Sequence, residues 1–124
     1  MDEQLYREAI LERFSNPINQ GTLVEPDFRA RLLNPLCGDE VEVAIKLDKE
    51  KKKVIQARFS GNGCAISQVA ASLLVEYIEG KNLEETKKLD SEKLLGLLGI
   101  RPSPARMKCA LLSLDALAAA LAQT

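Results

Sequence analysis

Three cysteines spread over the whole chain, with no histidine anywhere, restrict the fold more than any other feature. Cys37 stands in NPLCGD, Cys64 in SGNGCAIS and Cys109 in PARMKC. Each lies where a loop meets an apolar helix or strand, and none has a neighbouring cysteine with which to build half a site locally. A fold that uses them together must bring three distant segments to one point. A thiolate is both a soft metal ligand and a nucleophile. Asp39, two residues after Cys37, offers the fourth ligand that a missing histidine cannot.

The rest of the composition removes competing classes. At 124 residues the chain has the length of one domain, expected over residues 1–124, with a single substantial core. Seventeen basic residues against 18 acidic ones leave no surplus for a phosphate backbone, and 4% aromatic content offers no stacking platform. Nucleic acid is therefore not an expected partner. The opening MDEQLYREAI is acidic and amphipathic rather than charged-then-apolar, and no run approaches the roughly 18 apolar residues of a membrane span. The expected location is cytoplasmic, with no membrane partner. In a reducing cytosol an odd set of three cysteines fits metal or sulfur chemistry better than a disulfide framework.

Hydrophobic periodicity predicts a short helix, a loop, a hairpin and then helices to the end. Leu5, Ala9, Ile10 and Phe14 share one face of a first helix that stops before Asn16-Pro17. Positions 15–35, with three of the five prolines, read as irregular. Val41, Val43, Ile45 and Leu47 then alternate with Glu40, Glu42, Ala44 and Lys46, the period-two signal of a half-buried strand. The polar run from Asp48 to Lys53 reads as a turn into a second strand from Val54 to Ser60, which Gly61-Asn62-Gly63 ends. Ala65 to Ile78 has helical spacing and Gly80 to stop it. Asn82 and Asp90 are placed to cap two short helices, and Ser103-Pro104 to open the last one.

On this reading Cys64 begins the long middle helix and Cys109 lies in the early turns of the last, while Cys37 occupies a turn in which Gly38 lets the backbone fold. Helix N-termini present unpaired N–H groups that favour an anionic ligand. The cysteine spacing matches no zinc finger or ribbon, whose ligands come in close pairs. Each residue also has a plainer reading: Cys109 as a small core hydrophobe, Asp39 as a turn residue, Arg106 and Lys108 as solvated charges. SGNGC lacks the Lys-Ser/Thr that would complete a phosphate loop.

Taken jointly, NPLCGD, the hairpin, GNGCAISQVAASLL and PARMKCALLSLDAL, preceded by LYREAILERFSNPINQG, resemble the IscU/SufU/NifU N-terminal family of iron–sulfur cluster assembly scaffolds. The resemblance implies an α+β fold in which a small antiparallel sheet packs against helices and the ligands gather at one exposed end. Carried over residue by residue, it implies that Cys37, Asp39, Cys64 and Cys109 hold a transient two-iron cluster or a zinc ion. A cysteine desulfurase would supply sulfur and apo iron–sulfur proteins would receive the product, so the protein is a scaffold rather than an enzyme unless it is a zinc-dependent sulfurtransferase. Both branches of the family leave marks. PARMKCALL resembles the SufU branch, and Lys108 and PSPARM stand where IscU-like members have histidine and an LPPVK-type motif. The short segment from Glu79 to Met107 instead lacks the insertion typical of SufU-like members. The persulfide acceptor is expected to be Cys37, on the mobility of its glycine-flanked turn, with Cys109 as the rival that an IscU-like mode implies.

Overall fold

A computed structural model describes residues 3–36 and 38–123. Helix α1 (Glu3–Ser15) is followed by three strands, β1 (Phe28–Leu33), β2 (Glu40–Leu47) and β3 (Val54–Asn62), and then by α2 (Ala65–Ile78), α3 (Leu83–Lys87), α4 (Ser91–Leu98) and α5 (Pro104–Leu121). The strands form one antiparallel sheet in the order β1-β2-β3, giving the expected α+β class. No helix among the described residues is long and apolar enough to cross a membrane.

The inward set predicted along β2 holds, with Val41, Val43, Ile45 and Leu47 buried, but Ala44, expected on the outward side, is buried as well, which interrupts the alternation. With Val54, Ala57 and Phe59 of β3 the inward set forms the sheet's contribution to the core. Against it lie Ala71, Leu74, Val75 and Ile78 of α2, Leu94 of α4, and Leu112, Ala116 and Leu117 of α5. The β2–β3 turn is held by the Asp48 carboxylate, which accepts the Lys52 and Lys53 N–H groups at 2.9 and 3.3 Å. The caps read from sequence are present: Asn82 accepts from the Glu85 N–H at 2.7 Å and Asp90 from that of Lys93 at 2.9 Å. Gly99 ends α4 in the left-handed conformation.

Two expectations are corrected. The segment from 15 to 35 is not irregular throughout, because FRARLL forms the edge strand β1. Phe28, Ala30 and Leu32 turn to the half-buried face while Arg29, Arg31 and Leu33 turn outward. The arginines pair across the ladder, Arg29 with Glu42 at 2.9 Å and Arg31 with both Glu42, at 3.1 Å, and Glu40. A six-residue strand between two prolines is weak as a local signal, and these cross-strand pairs complete it. The first helix also lacks the apolar face expected of it: Ile10 is buried, but Ala9 and Phe14 are exposed. The Leu5 side chain lies outside the described residues. Ile10 packs in a cluster with Val69 of α2, Leu98 and Ala110, and Arg13 adds polar contacts to α2, reaching Glu76 at 2.5 Å and Ser72 at 3.2 Å.

Asp27 ties the start of β1 to the end of β2. Its N–H donates to Ile45 O at 2.8 Å, its Oδ2 accepts the Leu47 N–H at 2.6 Å, and its Oδ1 pairs with Lys51. The Lys51 ammonium, and then the Leu47 N–H, hold this carboxyl below its ordinary value. A group depressed in the folded state stabilises fully above its ordinary, unfolded value and loses that contribution as pH falls through the lowered one. Asp27→Asn is thus expected to lower unfolding free energy by about 1–2 kcal/mol at pH 7. The gap to the parent should shrink in urea titrations below about pH 4; a gap independent of pH would show that charge plays no part.

Candidate metal centre

The register of the sheet builds the site. Glu40 of β2 lies opposite Asn62 of β3, so continuing the ladder by one step sets Asp39 beside Gly63, and the chain enters α2 immediately afterwards. Cys64 is the N-cap of α2 and uses no side-chain bond to cap it. The missing partner comes from the sheet: Asp39 Oδ1 accepts the Cys64 N–H at 3.1 Å, and the Cys64 Sγ lies 3.4 Å from Oδ2. A carboxylate from a distant strand thereby serves the N–H that the acid of a local capping box would serve. Cys64 O in turn accepts the Ser67 hydroxyl at 3.0 Å and the Gln68 N–H at 3.2 Å.

Cys109 arrives from α5. It is the sixth residue of that helix, which starts at Pro104, so the dipole argument that suits Cys64 does not extend to it; the effect fades within the first turn. One ligand atom from each of Asp39, Cys64 and Cys109 lies within 4.8 Å of the others. A tetrahedral zinc with two sulfurs and a carboxylate oxygen needs separations of about 3.6–3.8 Å, so no pair has to close by more than about 1 Å to surround an ion, and Cys64 Sγ and Asp39 Oδ2, at 3.4 Å, need not close at all. The donor chemistry suits zinc or iron, two soft thiolates and one harder oxygen. Cys37, the fourth residue expected here, lies outside the described residues. The loop that carries it runs from 34 to 39 and is pinned at both sides: Asn34 O accepts the Gly38 N–H and Asp39 O the Asn34 N–H, each at 2.8 Å, and Gly38 takes φ +75°.

The described ligands are more enclosed than the exposed end that the family resemblance implies. Asp39 and Cys109 are each only 4% exposed, and Cys64 is half-buried. The register that continues the β2–β3 ladder draws Asp39 under the α2 N-terminus, and α5 covers Cys109 with its own inner face. Arg106 and Lys108, near Cys109 in the chain, are exposed.

Residues 5–123 match the family described as NifU-like N terminal domain. The chain belongs to this family. Among members of the family and its structural neighbours, the zinc-dependent sulfurtransferase SufU of Bacillus subtilis is 36% identical over 132 residues, covering 93% of this chain and 88% of its own. The iron-sulfur cluster assembly enzyme IscU of Drosophila melanogaster is 35% identical over 121 residues, covering 95% and 77%. The crystal structure of FiSufU from Fervidobacterium islandicum superposes with a TM-score of 0.78 at 26% identity, covering 98% of this chain and 99% of that one. The SufU alignment is longer than the 124 residues available here, so the Bacillus protein carries residues that this NifU-like chain lacks.

Gly63 is the site residue whose role the sequence did not disclose. A Cβ at this position would stand 2.5 Å from Ser67 Oγ and 2.8 Å from both Cγ and Oδ1 of Asp39. The glycine is required for close approach, not for an unusual backbone angle. Gly63→Ala is expected to displace the Asp39 carboxylate from Cys64 while leaving the sheet core intact. Far-ultraviolet circular dichroism should be unchanged and zinc affinity should fall about 10-fold or more; undiminished affinity would mean that the carboxylate has no part in binding.

Proposed function

We propose that this protein is an iron–sulfur cluster assembly scaffold. It receives sulfur from a cysteine desulfurase, holds iron and the nascent cluster on Cys37, Asp39, Cys64 and Cys109, and passes the product to apo-proteins. The observation that carries the reading is the convergence of a strand carboxylate, a helix-cap thiol and a second helix's thiol within 4.8 Å, in a chain that belongs to the NifU-like family. With Cys37 the set has four donors, two per iron in a two-iron cluster. The carboxylate is the hardest of the four and the one most readily given up by soft cargo, which suits transfer over permanent storage. Cysteines that must act as thiolate ligands are best kept reduced, in a cytoplasmic setting.

A second reading, a zinc-dependent sulfurtransferase, is favoured by the similarity to the Bacillus subtilis protein and by Lys108 immediately before Cys109 in place of histidine. The same four residues would hold zinc, which when bound keeps its thiolate ligands deprotonated and fixed. Anaerobic reconstitution with iron, sulfide and a desulfurase is expected to produce visible sulfur-to-iron absorption that is lost on adding an apo-acceptor. If no absorption develops while the zinc-loaded protein accelerates the desulfurase, the sulfurtransferase reading replaces the scaffold.

In either role a sulfur must reach a thiolate. Cys109 is 4% exposed, too enclosed for a protein-bound donor without opening α5. Leu36, beside Cys37 in the chain, is 80% exposed, and Gly38 supplies backbone freedom on the other side. Cys37 is accordingly assigned as acceptor. Its thiolate attacks the outer sulfur of the donor persulfide, the donor cysteine leaves as thiolate, and the proton stays on the transferred sulfur. One S–S bond forms as one breaks, with no net oxidation. Mass spectrometry of peptides after one desulfurase turnover should find the added sulfur on Cys37; finding it chiefly on Cys109 would reject the accessibility argument.

A further inference from the structure

Gln68 carries a buried side-chain amide nitrogen with no hydrogen-bond partner, on a residue that is 7% exposed. A buried N–H left unpaired is costly and uncommon, and the positions that follow it on the same face of α2, Ala71 and Val75, are apolar and fully buried. Packing alone would be better served by an apolar side chain of the same size. Gln68 stands four residues after Cys64, the N-cap of α2, and a helical side chain leans back over the turn that precedes it. The amide is therefore within reach of the turn that carries Cys64, whose sulfur is within 4.8 Å of that of Cys109.

The acceptors of that turn are otherwise engaged. Cys64 O already takes the Ser67 hydroxyl and the Gln68 backbone N–H, and Asp39 Oδ1 takes the Cys64 N–H. As a thiol, Cys64 donates toward Asp39 Oδ2. As a metal ligand the same sulfur has no proton and can only accept.

We propose that the Gln68 side-chain amide donates a hydrogen bond to the metal-bound thiolate of Cys64, making Gln68 a positioning residue for the loaded site. The inference rests on Cys64 being a ligand, as in the function proposed above. An N–H directed at a ligand sulfur withdraws charge from it, which steadies the bound state and raises the potential of an iron–sulfur cargo.

Gln68→Met tests this, with Gln68→Leu as the alternative should methionine disturb packing, and Ser113→Ala as control. Ser113 also has a buried oxygen with no partner, one turn after Cys109 on α5, but its short side chain does not span a turn to sulfur. In the metal-free protein, Gln68→Met should raise the melting temperature by about 3 °C, since it removes an unpaired amide. Zinc affinity, measured by competition with a chromophoric chelator, should nevertheless fall about 10-fold. Cobalt substituted for zinc should show its sulfur-to-metal absorption moved to longer wavelength, because a thiolate without its hydrogen bond is easier to oxidise. Ser113→Ala should leave affinity and absorption unchanged. If the parent protein takes up neither zinc nor cobalt, the site itself is wrong and the inference falls with it. If the parent binds and Gln68→Met matches it in affinity and absorption, Gln68 alone loses its role.

Discussion

The contact between Asp39 and the start of α2 governs how the rest of the site is assembled. A buried carboxylate needs hydrogen bonds, and a helix N-terminus needs acceptors; here each supplies the other across 25 residues of chain. The contact joins the residue before β2 to the N-cap of α2, a helix that packs on the sheet through Ala71, Leu74, Val75 and Ile78. It also sets the Cys64 sulfur against the carboxylate oxygens. The β2–β3 ladder directs it, because the pairing of Glu40 with Asn62 leaves one possible place for Asp39, and Gly63 removes the side chain that would block it.

Burial then divides the labour among the ligands. Asp39 and Cys109 are enclosed by the sheet edge and by α5, while Cys64 is half-buried. A site whose donors come from a strand end and two helices is rigid on those sides, since each element is anchored by the common core of β2, β3, α2 and α5. The loop from 34 to 39 contrasts with them, because its residues Pro35, Leu36 and Gly38 face solvent.

Much of the framework was legible because its signals are local. The alternation of β2, the Asp48 turn, the caps at Asn82 and Asp90 and the proline at the start of α5 each depend on residues within a few positions of one another. β1 was not legible in the same way. Its period-two pattern is only six residues long and flanked by prolines, and its arginines acquire meaning only when the register sets Glu42 opposite Arg31 and diagonal to Arg29. The first helix misled in the opposite direction: of its expected apolar face Ala9 and Phe14 are exposed, and the attachment to α2 combines buried Ile10 with the polar contacts of Arg13.

By itself the sequence determined which residues are chemically fit to bind metal: three soft thiols and a carboxylate in a chain without histidine. It also determined that Asp39 and Cys64 lie at element boundaries and Cys109 in the early turns of the last helix, because glycine, proline and capping residues mark those boundaries. Tertiary structure alone decided which of them meet, how deeply they are enclosed and what surrounds them. Cys109, the sixth residue of α5, is buried by packing and lies beyond the reach of the helix dipole. Gly63 and Gln68 carry no signature that a local pattern can reveal. The first matters because a strand register brings Asp39 against it, and the second because an amide acquires a cost only when the fold takes it out of water.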